Sequence, residues 1–226
     1  MTSIKQRTIP QRSEILRDLH NCSIISDTRE IWLCGDPSYN YDEIMIDQLS
    51  ANTFIRNLRF LNDISDETIL IHMISNGGDW NYGMAIYDAI KASLSETVIL
   101  AYAHARSMSS VIPQAATYRV MMPNADFLIH WGSFGVEGNH TSCMAEAEQA
   151  AKMEDIMLDC YIGRCLDTDF WQKKWNSNHS SNCRKYLRDI MDRKQEVYFT
   201  ARESVDMGFM DAVLGDTGYE TMEGLR

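Results

Sequence analysis

The chain has 226 residues, of which 45% are hydrophobic and 23% charged, and this composition is typical of a globular protein with a substantial core. Its formal net charge of −11 argues against nucleic acid or an anionic membrane as a partner, because both bind basic surfaces. No apolar run approaches the length of a bilayer span and residues 1–18 hold no hydrophobic signal core, so we expect a soluble, cytoplasmic protein.

In its first half the sequence alternates between apolar runs and helical periodicity. The predicted elements, in order, are a strand at 30–35, a helix over 41–63, a buried strand at 68–75 that stops at Asn76-Gly77-Gly78, a helix that places Ile86, Ile90 and Leu94 on one face, and a second buried strand at 97–103. Both buried strands are near-continuous apolar runs, which is typical of strands covered on both faces.

The second half of the chain is predicted with the same signals. We expect a helix through "VIPQAATY" (111–118), a strand at 127–130, an extended glycine-punctuated stretch at 132–138, a helix over 141–164, a loop or second helix at 168–183, and a helix, glycine turn and strand over 201–214. Strands that alternate with helices predict an α/β layered fold with parallel strands, and the absence of linker-like composition favours one domain.

The six cysteines are scattered through core-like segments, which favours reduced thiols over a disulfide framework. One group, Cys160, Cys165, His179 and Cys183, has a spacing that resembles zinc ligands. The close C-x2-C pair of common zinc modules is absent, so we expect no metal site.

Three predicted strand ends carry residues that can do chemistry: Gly77-Gly78, Ser107 and His130. In α/β folds, sites form where strands stop, and a serine at a helix start lies among free backbone N–H groups that can stabilise an oxyanion. A histidine at a neighbouring strand end can act as base for that serine. Each residue also has an ordinary structural role, as helix cap, buried histidine or turn, and the residue pattern alone leaves both interpretations open.

Four segments, in one consistent order, resemble the Clp protease proteolytic subunit family. They are "ISNGGDWNYGMAIYDAI", "ARSMSS", "MPNADFLIH" and "FTARESVDMGFMDAVL". The resemblance implies a crotonase-like α/β fold, a spiral of β-β-α units with a helical handle at about 132–192. It also implies that residues 30–226 form the peptidase domain and that residues 1–29 form an entry segment near an axial pore.

The resemblance further implies a serine endopeptidase. Ser107 falls on the nucleophile, His130 on the general base and Asp192 on the acid of the triad, and the backbone N–H groups of Gly78 and Met108 fall on the oxyanion hole.

Two nearby carboxylates and two nearby serines also need a role. Asp189 and Glu196 compete with Asp192 for the acid role, because the segment that precedes them is irregular. Ser109 and Ser110 lie where the family has small residues, and we expect them to pack.

The family also implies contacts beyond the triad. Extended substrate would pair with a strand formed by Gly132, Ser133, Phe134 and Gly135. Subunits would form heptameric rings stacked in pairs, fed with unfolded polypeptides by a hexameric AAA+ unfoldase, which would use the ATP, so that this chain needs no cofactor. The matching docking positions are Leu70, His72 and Val120.

The sequence departs from the family at several of these places. Asn76 stands at a family proline, and Gly132 is the residue nearest to a second one just after the histidine. The stretch 168–183 is longer than usual, and the docking positions lack the family's aromatic character. A stand-alone, phage-type protease without an ATPase would show such changes. A catalytically silent ring subunit and a crotonase-like acyl-CoA enzyme are the competing interpretations, although an acyl-CoA enzyme has no need of a serine at 107.

Overall fold

The structure is a computed structural model that describes residues 9–33, 45–133, 135–166, 168–174 and 179–226. In these residues eight strands form one mixed sheet. The strands are β1 (Ile24–Ile25), β2 (Glu30–Leu33), β3 (Ile69–Ser75), β4 (Thr97–Arg106), β5 (Tyr118–Met121), β6 (Asp126–Ile129), β7 (Val197–Thr200) and β8 (Ala212–Val213).

The sheet divides at its longest strand, β4. Strands β2, β3, β4, β5 and β8 are parallel in that order, and β1 pairs antiparallel with β2. The first half of β4 pairs with β5, whereas its last residues pair with β6, in the register Arg106↔Leu128. Because β4 and β6 are parallel, the residues that follow their carboxyl ends lie side by side.

Eight helices are found in the described part of the chain. They are α1 (Ile9–Cys22), α2 (Gln48–Ile64), α3 (Trp80–Lys91), α4 (Met108–Val111), α5 (His140–Cys165), α6 (Asp169–Lys174), α7 (His179–Lys194) and α8 (Ala201–Asp206), with short 3-10 turns at Ser26–Thr28, Ile112–Ala115 and Met222–Leu225. Asp47 and Ser50 form a capping box at the start of α2, and Asp79 caps α3 by accepting from two backbone N–H groups. These caps satisfy N–H groups that a helix start otherwise leaves unpaired.

The two faces of the sheet are covered differently. Side-chain alternation along β3 directs Ile69, Ile71 and Met73 to one face, where they join the main core with residues of α2, α3 and α5. A smaller cluster buries Leu70, Val98, Leu100, Val120 and Leu225. Four of these five residues come from adjacent strands, and the fifth comes from the 3-10 turn Met222–Leu225.

Helices α5 and α7 pack against each other in the region that the resemblance predicts as a handle. Arginines of α7 pair with carboxylates of α5, among them Arg184 with Asp155 and Arg188 with Glu154. Within the described ranges, no helix combines the length and the apolar character that crossing a membrane requires.

Most predicted elements are confirmed, with three corrections. The helix predicted over 41–63 begins at Gln48, since Asp47 is its N-cap and Ile46 forms a β-bridge with Gly78. The helix predicted to include Leu94 ends at Lys91, and Leu94 is 80% exposed although it continues the apolar spacing of Ile86 and Ile90. The helix predicted through 118 ends earlier, since Thr117 lies in a bend and Tyr118–Met121 is strand β5.

The polar stretch 168–183 contains helical residues on both sides of a gap in the described chain. Asp169–Lys174 is α6, and α7 begins at His179 and continues to Lys194. Neither the full extent of α7 nor strand β7 is predicted from the sequence.

Candidate active site

Ser107 lies at the turn between β4 and α4, in a backbone conformation that residues other than glycine rarely adopt. Its φ is 53° and its ψ is −129°, and its N–H donates to the Leu128 carbonyl oxygen of β6 at 3.1 Å. A non-glycine residue with positive φ is strained, and such strain is concentrated at functional turns. The residues that follow hold this strained turn in place, because Met108, Ser109 and Ser110 are all buried.

The glycine turn after β3 packs directly against this serine. A Cβ atom at Gly77, whose φ is +106°, would lie 2.6 Å from the Ser107 Cβ and 2.9 Å from the Met108 backbone nitrogen. A Cβ at Gly78 would meet the Ile46 carbonyl oxygen at 2.3 Å. The turn therefore needs both glycines in order to approach the serine turn and residue 46 so closely.

His130 follows β6 and reaches the serine. Its Nε2 lies 2.7 Å from the Ser107 Oγ, which is hydrogen-bond distance. Burial lowers the pKa of His130 below its ordinary value, and the negative charge of Glu196 opposes that shift. The lowered pKa keeps the imidazole neutral at neutral pH, the state in which it can accept a proton.

The predicted acid, Asp192, lies near the end of α7 but is bound to a different residue. Its Oδ1 accepts a hydrogen bond from the Trp131 indole Nε1 at 2.8 Å, and the Arg188 guanidinium lies 5.1 Å from the centre of the Trp131 ring. Among the described residues, no hydrogen bond or ion pair joins Asp192 to His130. The acid assignment therefore stays a prediction.

The two competing acids occupy different surroundings. Asp189 is paired with Arg193 one turn along α7. Glu196, between α7 and β7, accepts a hydrogen bond from the Tyr198 hydroxyl at 3.2 Å and acts electrostatically on His130.

The residues predicted to form the oxyanion hole border the same cavity as Ser107. Met108 is the first residue of α4, so its N–H has no intrahelical partner. Its side chain lies against α3, where a Cβ at Gly83 would be 2.1 Å from the Met108 Cγ. Gly83 thus leaves the room that Met108 needs.

Sequence reasoning missed two positioning contacts. The hydroxyl of Ser110 donates to the Ser107 carbonyl oxygen at 2.6 Å and lies 2.7 Å from the hydroxyl of Tyr161, a fully buried residue of α5. Ser110 thereby ties the serine turn to the handle, a contact between residues 51 positions apart that no local signal shows. Ser109, predicted to pack, is buried, and its hydroxyl has no hydrogen-bond partner among the described residues.

A cavity of about 580 Å3 opens over the serine. It is lined by Met45, Asn76, Gly78, Asp79, Trp80, Ser107, Met108, Val111, His130, Trp131, Gly132, Ser133, Ala150, Met153, Glu154 and Met157. Four methionines and two tryptophans are among these lining residues, and methionine adapts readily to ligands of different shape.

Of the residues predicted to form the substrate strand, Gly132 and Ser133 border this cavity. Neither they nor Gly135 belongs to a strand in the described part of the chain, and Phe134 lies outside the described residues. Asn76, at a family proline, also faces the cavity, and its side-chain oxygen is buried without a partner among the described groups.

The predicted docking residues are not exposed. Leu70 and Val120 are fully buried and His72 is 4% exposed, on the sheet face that Leu225 covers.

The cysteines considered as zinc ligands are partly brought together. The Sγ atoms of Cys165 and Cys183 lie 3.7 Å apart in the core between α5 and α7, whereas Cys160, also buried on α5, contacts Tyr87 of α3. Over the described residues, no group of three or more cysteine, histidine or carboxylate side chains has a geometry that could hold a metal ion.

Comparison with known proteins gives consistent matches. The Clp protease family model matches residues 41–217. The chain is 26% identical to an ATP-dependent Clp protease proteolytic subunit of Deinococcus radiodurans, over 81% of the chain and 88% of the relative. It is 28% identical to the subunit of Streptococcus uberis, over 80% and 91%, and 30% identical to that of Lactococcus lactis subsp. cremoris, over 73% and 76%.

Proposed function

The chain belongs to the Clp protease family and is a serine-type endopeptidase with the crotonase-like α/β fold, and we propose that Ser107 is its nucleophile and His130 its general base. The observation that carries this assignment is the distance of 2.7 Å between the Ser107 Oγ and the His130 Nε2. The strained backbone of Ser107 supports it, because an ordinary helix-capping serine needs no such conformation.

The reaction follows from these positions. With its proton on Nδ1, neutral His130 removes the Ser107 proton through Nε2 as the hydroxyl attacks a peptide carbonyl carbon. The N–H groups of Gly78 and Met108 stabilise the resulting oxyanion, an interaction worth about 3 to 4 kcal/mol per donor in comparable enzymes. The imidazolium then protonates the leaving amine, and water, activated by His130, hydrolyses the acyl-enzyme.

The acid of the triad is Asp192 in this proposal. Asp192 is held by the residue next to His130, so a change of its side-chain rotamer, or a small shift of α7, is the movement that would bring it to Nδ1. There it would fix the tautomer and stabilise the imidazolium. Glu196 is the second candidate, favoured by its electrostatic effect on His130.

The substrate is an unfolded polypeptide bound in extended form. The cavity beside Ser107, whose lining includes Trp80 and Met153, offers room for an apolar side chain. The substrate backbone would pair with residues 132–135 as an added strand. Such pairing uses main-chain hydrogen bonds and therefore recognises peptides without regard to most of their side chains.

The assembly is a homo-oligomer of heptameric rings stacked in pairs, in the cytoplasm, that works with a partner AAA+ ATPase. The ATPase partner in this proposal is supported by the relatives, which are named as proteolytic subunits of ATP-dependent Clp proteases. The ring arrangement and the cytoplasmic location rest on the family resemblance. ATP and its metal would be bound by the partner, and this chain would use no cofactor.

A fluorophosphonate probe tests the nucleophile, with the modified residue located by mass spectrometry. We expect an adduct on Ser107 that disappears in Ser107→Ala and persists in Ser109→Ala, the matched control two residues further along. Absence of the adduct on the assembled protein would favour the silent ring subunit. That alternative is supported by one observation, since Asp192 is bound to Trp131 and not to His130.

A further inference from the structure

In the described part of the chain, the residues that follow β8 pack over the sheet face that carries the smaller cluster. We refer to residues 219–226 as the capping segment. Leu225 is its only buried residue and completes the cluster with Leu70, Leu100 and Val120. Two of the three predicted docking residues therefore lie directly under this leucine, in a site built for an aliphatic side chain.

A charged contact holds the segment beside that cluster. The Arg226 guanidinium lies 2.6 Å from the Glu30 carboxylate, and the other oxygen of Glu30 lies 3.0 Å from the His72 Nε2. Glu30 is only 5% exposed. Burial alone would raise its pKa, but the hydrogen bond with His72 contributes to holding the pKa below its ordinary value, so that Glu30 is ionised and attracts a cation.

The polar group continues beneath the segment. His72 stacks on Trp32 with ring centroids 3.9 Å apart, and its Nδ1 lies 2.7 Å from the Tyr102 hydroxyl. That hydroxyl donates to the Met222 Sδ at 3.3 Å. The third docking residue, His72, therefore contacts the group that holds both Arg226 and Met222.

The capping segment is attached weakly apart from these side chains. Its first residue closes a turn, with the Gly215 N–H donating to the Tyr219 carbonyl oxygen at 2.9 Å. Beyond it, the backbone hydrogen bond from Gly224 to Thr221 stays within the segment, and in the described chain none joins residues 220–226 to a strand. The segment can leave without breaking the sheet, because only side-chain contacts must be lost.

We infer that the capping segment is a resident ligand of a peptide-docking face, and that it competes there with a partner loop that carries an aliphatic side chain followed by a basic residue. That a partner loop docks here, and that it belongs to the ATPase, rests on the proposed function; the occupation of the face by Leu225 does not. A tethered ligand acts at an effective concentration in the millimolar range. An incoming loop binds only the molecules whose face is free, so its apparent affinity is the intrinsic affinity multiplied by the fraction of molecules with a free face.

The test uses a fluorescein-labelled peptide with the sequence of residues 219–226, and its binding is measured by anisotropy. Leu225→Asp in the chain removes the resident side chain, and we expect this variant to bind the peptide at least about tenfold more tightly than the unchanged chain. Leu94→Asp makes the same change at an exposed leucine and is expected to leave the affinity unchanged.

Two further arms sharpen the result. In case Leu225→Asp impairs folding, Arg226→Glu keeps the leucine and places like charges beside Glu30, and it is expected to increase peptide affinity by a smaller factor. A peptide that carries the equivalent of Leu225→Asp is expected not to bind. Equal affinity for all chain variants, or no binding to any, would overturn the inference.

Fluorophosphonate labelling on the same samples separates this inference from the proposed function. Labelled Ser107 without peptide competition contradicts the resident ligand alone. Peptide competition without labelling contradicts the peptidase assignment and leaves the docking face intact.

Discussion

The two halves of the candidate site differ in how firmly they are held. The serine turn is enclosed by buried residues and touches the glycine turn, β6 and, through Ser110, the handle. Asp192 is exposed near the end of a helix, and its carboxylate is bound to Trp131 rather than to His130. The nucleophile and base are thus preorganised by the sheet, whereas the acid depends on where α7 lies.

Asp192→Asn tests the weaker half and has the largest expected effect. If Asp192 joins the triad during catalysis, the variant stabilises the wrong histidine tautomer and kcat/KM falls by about 10^4-fold. Cleavage of a fluorogenic peptide by the assembled protein measures this loss.

The control for this variant is Asp189→Asn, one turn away. It removes an exposed ion pair with Arg193, and such pairs contribute little, so kcat/KM should stay within about threefold. A loss of similar size in Glu196→Gln, with Asp192→Asn active, would assign the acid role to Glu196.

Gly77→Ala tests the firmer half. The new Cβ would lie 2.6 Å from the Ser107 Cβ at a φ of +106°, so either the glycine turn or the serine turn must move. A displacement of about 1 Å at a reacting group costs on the order of 10^2-fold in rate. We expect kcat/KM to fall by about this factor, as measured with the same fluorogenic peptide.

The matched control is Gly163→Ala, on α5, where a Cβ would meet nothing within 4 Å. It should leave kcat/KM unchanged and stabilise the helix by up to about 1 kcal/mol. Full activity in Gly77→Ala would show that the serine turn tolerates movement and would remove the contrast between the two halves.

The firm half is also the half that the sequence predicts. Apolar runs that end at Gly77, Ser107 and His130 are local signals, and parallel pairing of β4 with β6 brings the last two together. Helix α7 carries a readable signal as well, since Cys183, Leu187 and Ile190 recur at helical spacing and are buried, but its start lies in a stretch rich in polar residues.

What the sequence does not predict depends on contacts between residues that are far apart in the sequence. The bond from Trp131 to Asp192 joins residues 61 positions apart, and neither residue type requires it. The burial of Leu70 under Leu225 likewise depends on which sheet face the end of the described chain crosses. Such choices follow from tertiary packing, which local periodicity does not encode.

Trp131→Phe separates the two roles that Trp131 can have toward Asp192. An aromatic ring beside Arg188 remains, while the N–H that binds the carboxylate is lost. If Trp131 competes with His130 for Asp192, kcat/KM should rise by about two- to tenfold, which is the net value of a typical intramolecular hydrogen bond. A fall in kcat at constant KM would instead make Trp131 a positioning residue that holds Asp192 ready.

The smallest expected effect concerns the pH dependence of the base. His130 must be neutral to accept the serine proton, and burial holds its pKa below the ordinary value, so activity should persist as the pH falls below that value and be lost only as the imidazole protonates. Glu196 raises this pKa against the effect of burial, and Glu196→Gln should therefore move the acid limb of the kcat/KM profile to lower pH.

The high-pH plateau tells whether Glu196 acts only through charge. It should be the same in Glu196→Gln, in the unchanged protein and in Glu146→Gln, a control carboxylate exposed on α5. Because Glu196 is exposed, salt should screen its effect and bring the profiles together at high ionic strength. A lower plateau in Glu196→Gln alone would mean that Glu196 acts on the imidazole directly, and the acid half of the site would then lie before β7 rather than at the end of α7.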